Sequence, residues 1–161
     1  MNVRKLKKED IDRVLEIYAC ARERMKRDGN PTQWGDSHPR RELIEGDAEN
    51  GTGYVLEQDG KIVGVFAFLL GEDPTYHHIE GEWLNDEPYG TIHRIASGEE
   101  GRSVLKTALK FCESQVGNIR IDTHEDNAVM RHLLTKYGFS ECGVIYVANG
   151  TPRIAYQKVV H

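Results

Sequence analysis

The chain has 161 residues, of which 39% are hydrophobic, and it carries a formal net charge of −5. This length and apolar content suit a single domain with its own core. The acidic balance argues against a general nucleic-acid-binding protein, because phosphate contacts need a clustered excess of Lys and Arg. No apolar run is long enough to span a bilayer, so we expect no membrane association either.

The three cysteines indicate a reducing compartment. Cys20, Cys112 and Cys142 are odd in number, far apart and outside any Cys-x-x-Cys pattern. A disulfide framework or a zinc site is therefore not expected, and we expect the thiols to be buried. The first residues are charged and contain no apolar signal segment. Together these features predict a cytoplasmic protein.

The first half of the chain predicts a strand, two helices and an antiparallel meander. Apolar residues recur at helical spacing over residues 11–21, and Asp59-Gly60 is a common two-residue hairpin turn. We expect residues 79–84 to extend the meander. The predicted elements are a strand at 3–6, helices at 11–25 and 40–49, and strands at 54–58 and 61–70.

The second half predicts a strand-helix-strand crossover, then a helix and a hairpin. The predicted elements are a strand at 91–96, a helix at 101–115, a strand at 119–123, a helix at 127–137, and hairpin strands at 140–147 and 152–158. This order predicts a mixed α/β domain. The site is expected at the crossover, because the carboxyl ends of strands and the N-termini of helices meet there.

The stretch "TIHRIASGEEGRSVLKTALKF" changes from strand spacing to helix spacing across a turn that holds Gly98 and Gly101. Free backbone N–H groups at such a helix start can hold a phosphate. The alternative is an ordinary turn, in which Glu99 and Glu100 favour the helix N-terminus and no ligand binds.

The segments "HRIASGEEGRS" and "THEDNAVMRHLLTKYGF", with the order of elements, resemble the GNAT family of N-acetyltransferases. Those enzymes take an acetyl group from acetyl-CoA and place it on an amine. The order of elements is similar over nearly the whole chain, and the motifs over 91–139. The resemblance implies a central, mostly antiparallel mixed sheet with helices on both faces. It also implies acetyl-CoA as cosubstrate and an amine of a small molecule or peptide as acceptor.

The family writes its CoA loop as Gln/Arg-x-x-Gly-x-Gly/Ala. Here Gly101 fits, Ser103 is an acceptable small residue, and Gly98 replaces the Gln or Arg. The resemblance implies that backbone N–H groups from about Gly101 to Val104 hold the CoA pyrophosphate. Arg102 can add a charge-assisted contact.

The second motif centres on Asn127, which stands eleven residues before Gly138 as in the family. The resemblance implies that its side chain contacts the arm of CoA, and an Asn there also suits a helix N-cap. Seven residues after it the family often has a Tyr that protonates the CoA thiolate, but here the position holds Leu134. Either the thiolate leaves without that acid, or another donor such as Tyr89 or Tyr146 serves.

The remaining catalytic needs are an oxyanion donor and a base. A backbone N–H near Ile95 or Ala96 can serve the oxyanion, if the strand splays from its neighbour as the resemblance implies. Strand alternation places His93 and Ile95 on one face, which makes His93 the first candidate base and His124 the second. The alternative for either histidine is a structural, hydrogen-bonded role.

Acceptor recognition is expected in two aromatic and acidic loops. Gln33 and Trp34 lie between the first helices, and Glu80, Glu82 and Trp83 follow the meander. Carboxylates and indole rings can hold a cationic amine. The alternative is that Trp83 covers the core and the glutamates are solvated.

Four further readings of the sequence concern a metal site, two alternative functions and a dimer. The string "HHIEGE" is not expected to bind a metal, because adjacent strand side chains point to opposite faces. A noncatalytic acyl-CoA-binding or regulatory protein is the main alternative function. A nucleotide-phosphate binder is weaker, since the Gly-Lys-Ser/Thr ending of a P-loop is missing. The final hairpin, with Ile145 and Val147, can pair in a homodimer.

Overall fold

The structure is a computed structural model that describes residues 1–98 and 103–160. It contains eight strands and four helices within those ranges, besides 3-10 turns at Lys8–Asp10 and Pro74–Tyr76. The strands are β1 Asn2–Lys5, β2 Gly53–Gln58, β3 Lys61–Leu70, β4 Glu80–Gly81, β5 Gly90–Ser97, β6 Asn118–Thr123, β7 Ser140–Tyr146 and β8 Pro152–Val159. The helices are α1 Ile11–Arg27, α2 Arg41–Asn50, α3 Val104–Glu113 and α4 Ala128–Lys136.

All strands belong to one sheet in the order β1-β2-β3-β5-β6-β8-β7-β4. Only β5 and β6 run parallel, and α3 connects them as the predicted crossover. The mixed, mostly antiparallel sheet with helices on both faces is therefore confirmed.

The prediction that 79–84 extends the meander was wrong. Its two strand residues, in β4, pair with β7 at the opposite edge of the sheet. Gly81 and Gly143 let the two backbones approach closely, since a Cβ on either would lie 2.2 Å from a backbone oxygen. Side-chain patterning alone does not specify such a backbone contact between distant segments.

The two faces of the sheet are covered differently. On one face α3 and α4 form the largest apolar cluster, around Phe66 and Leu134. On the other, α1 and α2 pack on β2, β3 and β5 around Ile44. Residues 71–89 cover the rest of that second face, where Tyr76 packs against β7 and β8. We call this second face the α1 face.

A bulge in β5 changes which face its residues use. Ala96 pairs with Val65 but His93 pairs with Ala67, so two β5 residues lie opposite one residue of β3. One of them, Arg94, has a left-handed backbone with φ 51°. Ile95 therefore packs on the α3 side, while His93 turns toward Asp73 on the α1 face. The prediction that His93 and Ile95 share a face was wrong for this reason.

Two smaller expectations also need correction. Cys112 is buried, but Cys20 and Cys142 are only partly buried; all three are free thiols. Ile145, proposed at a dimer interface, is fully buried within the chain.

None of the helices within 1–98 and 103–160 is both long and apolar enough to cross a membrane.

Candidate functional site

The site begins where the two parallel strands separate. β5 and β6 are paired only at Gly90 with Ile119 and at Thr91 with Arg120, although both strands are described in full beyond these positions. From Ile92 onward the edge of β5 that faces β6 is unpaired. Unpaired backbone groups between two diverging strands are available to a ligand.

A first cavity of about 300 Å³ opens on one side of this separation. Its walls come from the end of β5, the first turn of α3, the end of α1 and the first half of α4. Its lining includes Arg24, Ile95, Ala96, Ser103, Val104, Lys106, Asn127, Met130, Leu133 and Tyr137. It joins an apolar slot to a polar end at the start of α3.

The polar end suits an anion. The first N–H groups of α3 are free of intrahelical partners, as at any helix start, and Lys106 lies in the lining. Arg24 reaches the same end from α1 and donates to the carbonyl of Ser97. Gly64 of β3 lets α3 sit close, since a Cβ there would lie 2.8 Å from both methyl carbons of Val104.

A diphosphate at the α3 start and an apolar thioester arm along Ile95 and Leu133 match the two parts of this lining. The cavity therefore fits the CoA group implied by the resemblance. Gly101 and Arg102, both predicted here, lie outside the described residues. Gly98 is not in the cavity lining, and its backbone N–H continues the pairing with β3 through the carbonyl of Val63 at 2.9 Å.

Asn127 caps α4 and also holds a neighbouring loop. Its Oδ1 accepts from the Met130 N–H at 3.1 Å, as the N-cap alternative predicted. Its Nδ2 donates to the Oε1 of Gln33 at 3.1 Å. The same oxygen accepts from Asn30 and from the backbone N–H of His124. Gln33 thus ties the loop between α1 and α2 to the start of α4.

A second cavity of about 540 Å³ lies on the α1 face, between that loop, the 3-10 turn after β3 and the β7–β8 hairpin. Its lining includes Gln33, Trp34, His38, Thr75, His93, Arg94, Ile95, Asp122, Asn127, Met130, Asn149 and Arg153. The two cavities are neighbours, because both are lined by Ile95, Asn127, Met130 and Met25.

His93 lines the second cavity and forms a hydrogen-bonded pair with Asp73, which is not itself in the lining. The Nε2 of His93 lies 2.8 Å from the Oδ2 of Asp73. Burial alone would raise the pKa of Asp73, but hydrogen bonds from His93 and Thr75 outweigh it and lower the pKa to about 2. An ionised carboxylate only accepts, so Nε2 carries a proton and the neutral imidazole keeps its lone pair on Nδ1.

Asp122 provides a carboxyl group in the lining of the second cavity. Its Oδ2 accepts from the hydroxyl of Tyr76 at 2.7 Å. Part of the residue is exposed at the cavity, yet the protein surrounds the carboxyl closely enough that burial raises its pKa. Burial also raises the pKa of Tyr76, which keeps that hydroxyl a donor.

The opposite end of the second cavity is cationic. Arg153 is 8% exposed and donates to the carbonyls of Pro152 and Gln33 and to the hydroxyl of Thr151. Burial lowers the pKa of His38, and the charges of Arg94, Arg153 and Arg22 lower it further. This corner therefore holds positive charge beside a neutral imidazole.

Several predicted site residues lie outside both cavities. The Nδ1 of His124 accepts from the Asp126 N–H at 3.0 Å and its Nε2 contacts Thr32. Tyr89 is buried, and its hydroxyl accepts from the Asp73 N–H at 2.8 Å. Tyr146 is on the exposed side of β7. Neither His124 nor either tyrosine lines a cavity.

The acidic and aromatic loop after the meander is also not brought to the cavities. Glu80 and Glu82 are exposed. Trp83 stacks on Arg120, whose guanidinium lies 4.0 Å from the indole centroid, and it helps to cover the core as the alternative interpretation stated. His77 contacts Glu72, and within the described ranges no group of three or more such side chains could hold a metal.

Sequence reasoning missed Asp73, Asp122, Arg153 and Tyr137 as cavity or wall residues. A signal for one of them, Asp122, was present. Asp122 and Arg120 alternate with isoleucines along β6. The crossover places β6 inside the sheet, so protein covers both of its faces and the two charged side chains lie against other residues. Asp73, Arg153 and Tyr137 had no such signal, since only the fold brings their segments together.

Comparison with known proteins supports one family. Residues 11–139 match the model of the acetyltransferase (GNAT) family. A GNAT-family acetyltransferase from Streptococcus agalactiae is 33% identical, with a TM-score of 0.90 over 99% of this chain and 95% of that one. One from Listeria monocytogenes is 24% identical, with a TM-score of 0.71 over 98% and 94%.

The ribosomal-protein-alanine N-acetyltransferase from Brucella melitensis is 18% identical, with a TM-score of 0.64 over 99% of both chains, and is similar in fold. No curated protein sequence matches the chain significantly. The family match and the 33% identity over nearly the whole chain decide the class. The chain belongs to the GNAT family of acetyltransferases.

Proposed function

We propose that the protein transfers an acetyl group from acetyl-CoA to the primary amine of a small molecule or peptide. The observation that carries this proposal is the meeting of two cavities at the unpaired edge of β5, where Ile95 and Met130 line both. A thioester bound in the first cavity and an amine bound in the second then bring their reacting groups together beside the end of β5. Acyl transfer is the activity of the family.

In this proposal the first cavity binds the cosubstrate. The free N–H groups at the start of α3 and the charges of Lys106 and Arg24 hold the phosphates. Apolar side chains, including Ile95 and Leu133, line the path of the arm. Asn127 keeps the α4 start in place beside it. Acetyl-CoA supplies the activated acyl group.

The second cavity binds and deprotonates the amine. The carboxyl of Asp122 attracts the ammonium group of the acceptor, and the approach of that cation favours its ionised form. The Nδ1 of His93 takes the proton, while the carboxylate of Asp73 on the other nitrogen stabilises the imidazolium that forms. His93 is therefore the proposed base, and Asp73 the residue that positions it.

The reaction forms one C–N bond and breaks one C–S bond. The neutral amine attacks the thioester carbonyl, whose oxygen gains negative charge that a backbone N–H near Ile95 or Ala96 stabilises. The thiolate then takes up a proton. Leu134, at the usual position of the family's acid, is fully buried. Of the described tyrosines, Tyr137 lines the first cavity, and we propose its hydroxyl as the donor in place of Tyr89 and Tyr146.

The cosubstrate site can be tested with two lysines of one helix. Lys106 lines the first cavity, whereas Lys110 lies one turn further and is exposed. Lys106→Glu should weaken acetyl-CoA binding by about tenfold, because a charge-assisted contact becomes a repulsion. Lys110→Glu should leave the affinity unchanged in the same calorimetric titration. Equal effects, or none, would place the phosphates elsewhere.

The base can be tested with His93→Gln and the exposed His78→Gln as control. The first variant should bind acetyl-CoA normally but lose turnover, most severely below pH 8, and recover in part as the amine deprotonates itself. Release of free thiol measures the rate. A pH–rate profile identical to that of the wild type would exclude His93. Acetyl-CoA binding without any thiol release, for the wild type and every amine tried, would favour the noncatalytic alternative.

A further inference from the structure

Arg153 is a buried cation whose hydrogen-bond partners are all neutral; the charge of Asp122 acts on it without forming an ion pair. Its Nη1 donates to the Thr151 hydroxyl at 3.1 Å and the Pro152 carbonyl at 2.8 Å, and its Nη2 to the Gln33 carbonyl at 3.4 Å. No carboxylate in residues 1–98 and 103–160 forms an ion pair with it. A buried charge without a counter-charge costs several kcal/mol in a folded protein. A ligand of opposite charge would offset this cost.

Two N–H groups of the Arg153 guanidinium have no hydrogen-bond partner among the described residues. The three hydrogen bonds occupy both hydrogens of Nη1 and one of Nη2, which leaves the Nε–H and one Nη2–H without a partner among the described residues. Two parallel N–H groups on one edge match the two oxygens of a carboxylate. Arg153 also lines the second cavity, so a carboxylate bound in that cavity lies beside the guanidinium.

The surroundings favour a single negative charge at this end. Arg94 is neutralised by a bidentate pair with Asp47, whereas Arg153 forms no ion pair with a described residue and is influenced only by the more distant charge of Asp122. His38 beside it is kept neutral by burial and by the nearby arginines, which lower its pKa. A neutral imidazole can donate a further hydrogen bond to a bound anion.

Asp122 and Arg153 lie on the same face of neighbouring strands. Asp122 is opposite Ala155 in the β6–β8 pairing, and Arg153 precedes Ala155 by two residues. This diagonal arrangement puts their Cβ atoms about 7–8 Å apart. His93 faces the same cavity from β5. One wall therefore presents an amine-binding carboxyl and a carboxylate-binding guanidinium at a separation that a small molecule can bridge.

We propose that the acceptor is an amino-acid-like zwitterion, with its amine at Asp122 and His93 and its carboxylate on Arg153. This inference rests on the proposed acetyltransferase function and narrows its substrate class. The cavity of about 540 Å³ has the size of a small-molecule site. The product is an N-acetylated acid, which keeps the contact with Arg153 and loses its positive charge at Asp122.

The test compares three acceptors with one side chain: a free amino acid, its amide, and the amine that remains when the carboxylate is removed. Mixtures covering all side-chain classes are offered first, with product mass and free thiol as readouts. The wild type should prefer the free amino acid over the amide and the amine by about 10- to 100-fold in kcat/KM, the worth of a charged hydrogen-bonded contact. Equal use of all three would overturn the proposal.

Arg153→Gln should lower kcat/KM for the free amino acid far more than for the amide or the amine, and so remove the preference. Arg153→Lys keeps the positive charge but lacks the two parallel N–H groups of a guanidinium, so it should retain only part of the preference. Arg41→Gln, on an exposed ion pair with Asp12, is the matched control. A variant that lowers activity toward all three acceptors equally would leave Arg153 only a structural role and overturn the inference.

The outcomes separate this inference from the proposed function. Acetylation of amines without a carboxylate, with no activity on amino acids, would overturn only the inference that the acceptor is a zwitterion. The proposed acetyltransferase function would stand. No acetylation of any amine, despite a folded protein, would overturn both. Protection of the wild type against heating by the amino acid, absent in Arg153→Gln, supports the site without relying on turnover.

Discussion

The two halves of the α1 face bury charge in different ways. Beneath α1 and α2, Arg94 forms a bidentate pair with Asp47, and Arg4 pairs with Asp10 at 2.8 Å. Beneath residues 71–89 and the last hairpin, the buried charges meet aromatic rings, hydroxyls and carbonyls instead. Arg120 lies between the rings of Trp83 and Tyr89, with its Nε lacking a hydrogen-bond partner.

This difference separates charges that hold the fold from charges that are free to act. A buried ion pair has satisfied both members, so it offers little to a ligand. A cavity-lining charge whose hydrogen-bond partners are neutral, such as Asp122 or Arg153, still gains from a closer opposite charge. Asp73 lies between these cases, since its partner His93 can itself gain or lose a proton. Substitutions in the paired half should therefore affect stability, and those in the other half chiefly activity.

The largest effect is expected in the paired half. Asp47→Ala leaves the guanidinium of Arg94 buried without its partner, in the bulge that opens β5, so the free energy of unfolding should fall by about 3 to 5 kcal/mol. Urea unfolding measures the loss. The double variant Asp47→Leu with Arg94→Met should lose less than Asp47→Ala, because it leaves no unpaired charge. A loss below about 1 kcal/mol in Asp47→Ala would remove the contrast between the halves.

The intermediate case is Asp73→Asn. The folded pKa of about 2 lies below the ordinary value of 3.8, so the ionised carboxylate stabilises the fold above pH 4 and this contribution is lost as the pH falls toward 2. The variant should be less stable than the wild type by about 2 kcal/mol at pH 7. The difference should shrink between pH 4 and pH 3 in urea titrations, and a constant difference would contradict the assignment.

A smaller effect of opposite sign is expected for Asp122→Asn. Since burial raises the folded pKa of Asp122, its protonated form fits the fold best, and stability is lost as the pH rises above about 4. The variant should therefore be more stable than the wild type at pH 7, by on the order of 1 kcal/mol, and equal to it near pH 4. Its KM for amines should rise about tenfold.

The exposed Asp86→Asn is the matched control for that comparison. It should change neither the free energy of unfolding nor the KM. If Asp122→Asn destabilised the protein at pH 7, its carboxylate would belong with the paired, structural charges rather than with the site.

The smallest stability effect is expected at the border of the two cavities. Asn127→Ser keeps an oxygen that can cap α4 but loses the donor to Gln33, so stability should fall by less than about 1 kcal/mol. Acetyl-CoA affinity should fall several-fold, because the start of α4 is no longer fixed against the α1–α2 loop. A loss of melting temperature at unchanged affinity would reduce Asn127 to its structural role.

Local pattern was sufficient for the elements and for the cap of α4. Helical spacing in α1, the Asp59-Gly60 turn and the strand-to-helix change before α3 each depend on neighbours in the chain, so the order of elements could be predicted correctly. Asn127 likewise followed from its place before a helix. These features need no knowledge of distant contacts, and the position of the crossover followed from them.

Contacts between distant segments decided the rest. Whether β4 joined the meander or β7 depended on a backbone approach at Gly81 and Gly143. The face that His93 uses depended on the bulge at Arg94, which alternation cannot reveal. Asp122 and Arg153 lie near each other, at the proposed substrate site, only because the sheet pairs β6 with β8. Periodicity records how each segment meets the core, whereas the chemistry of a cavity depends on which segments meet each other.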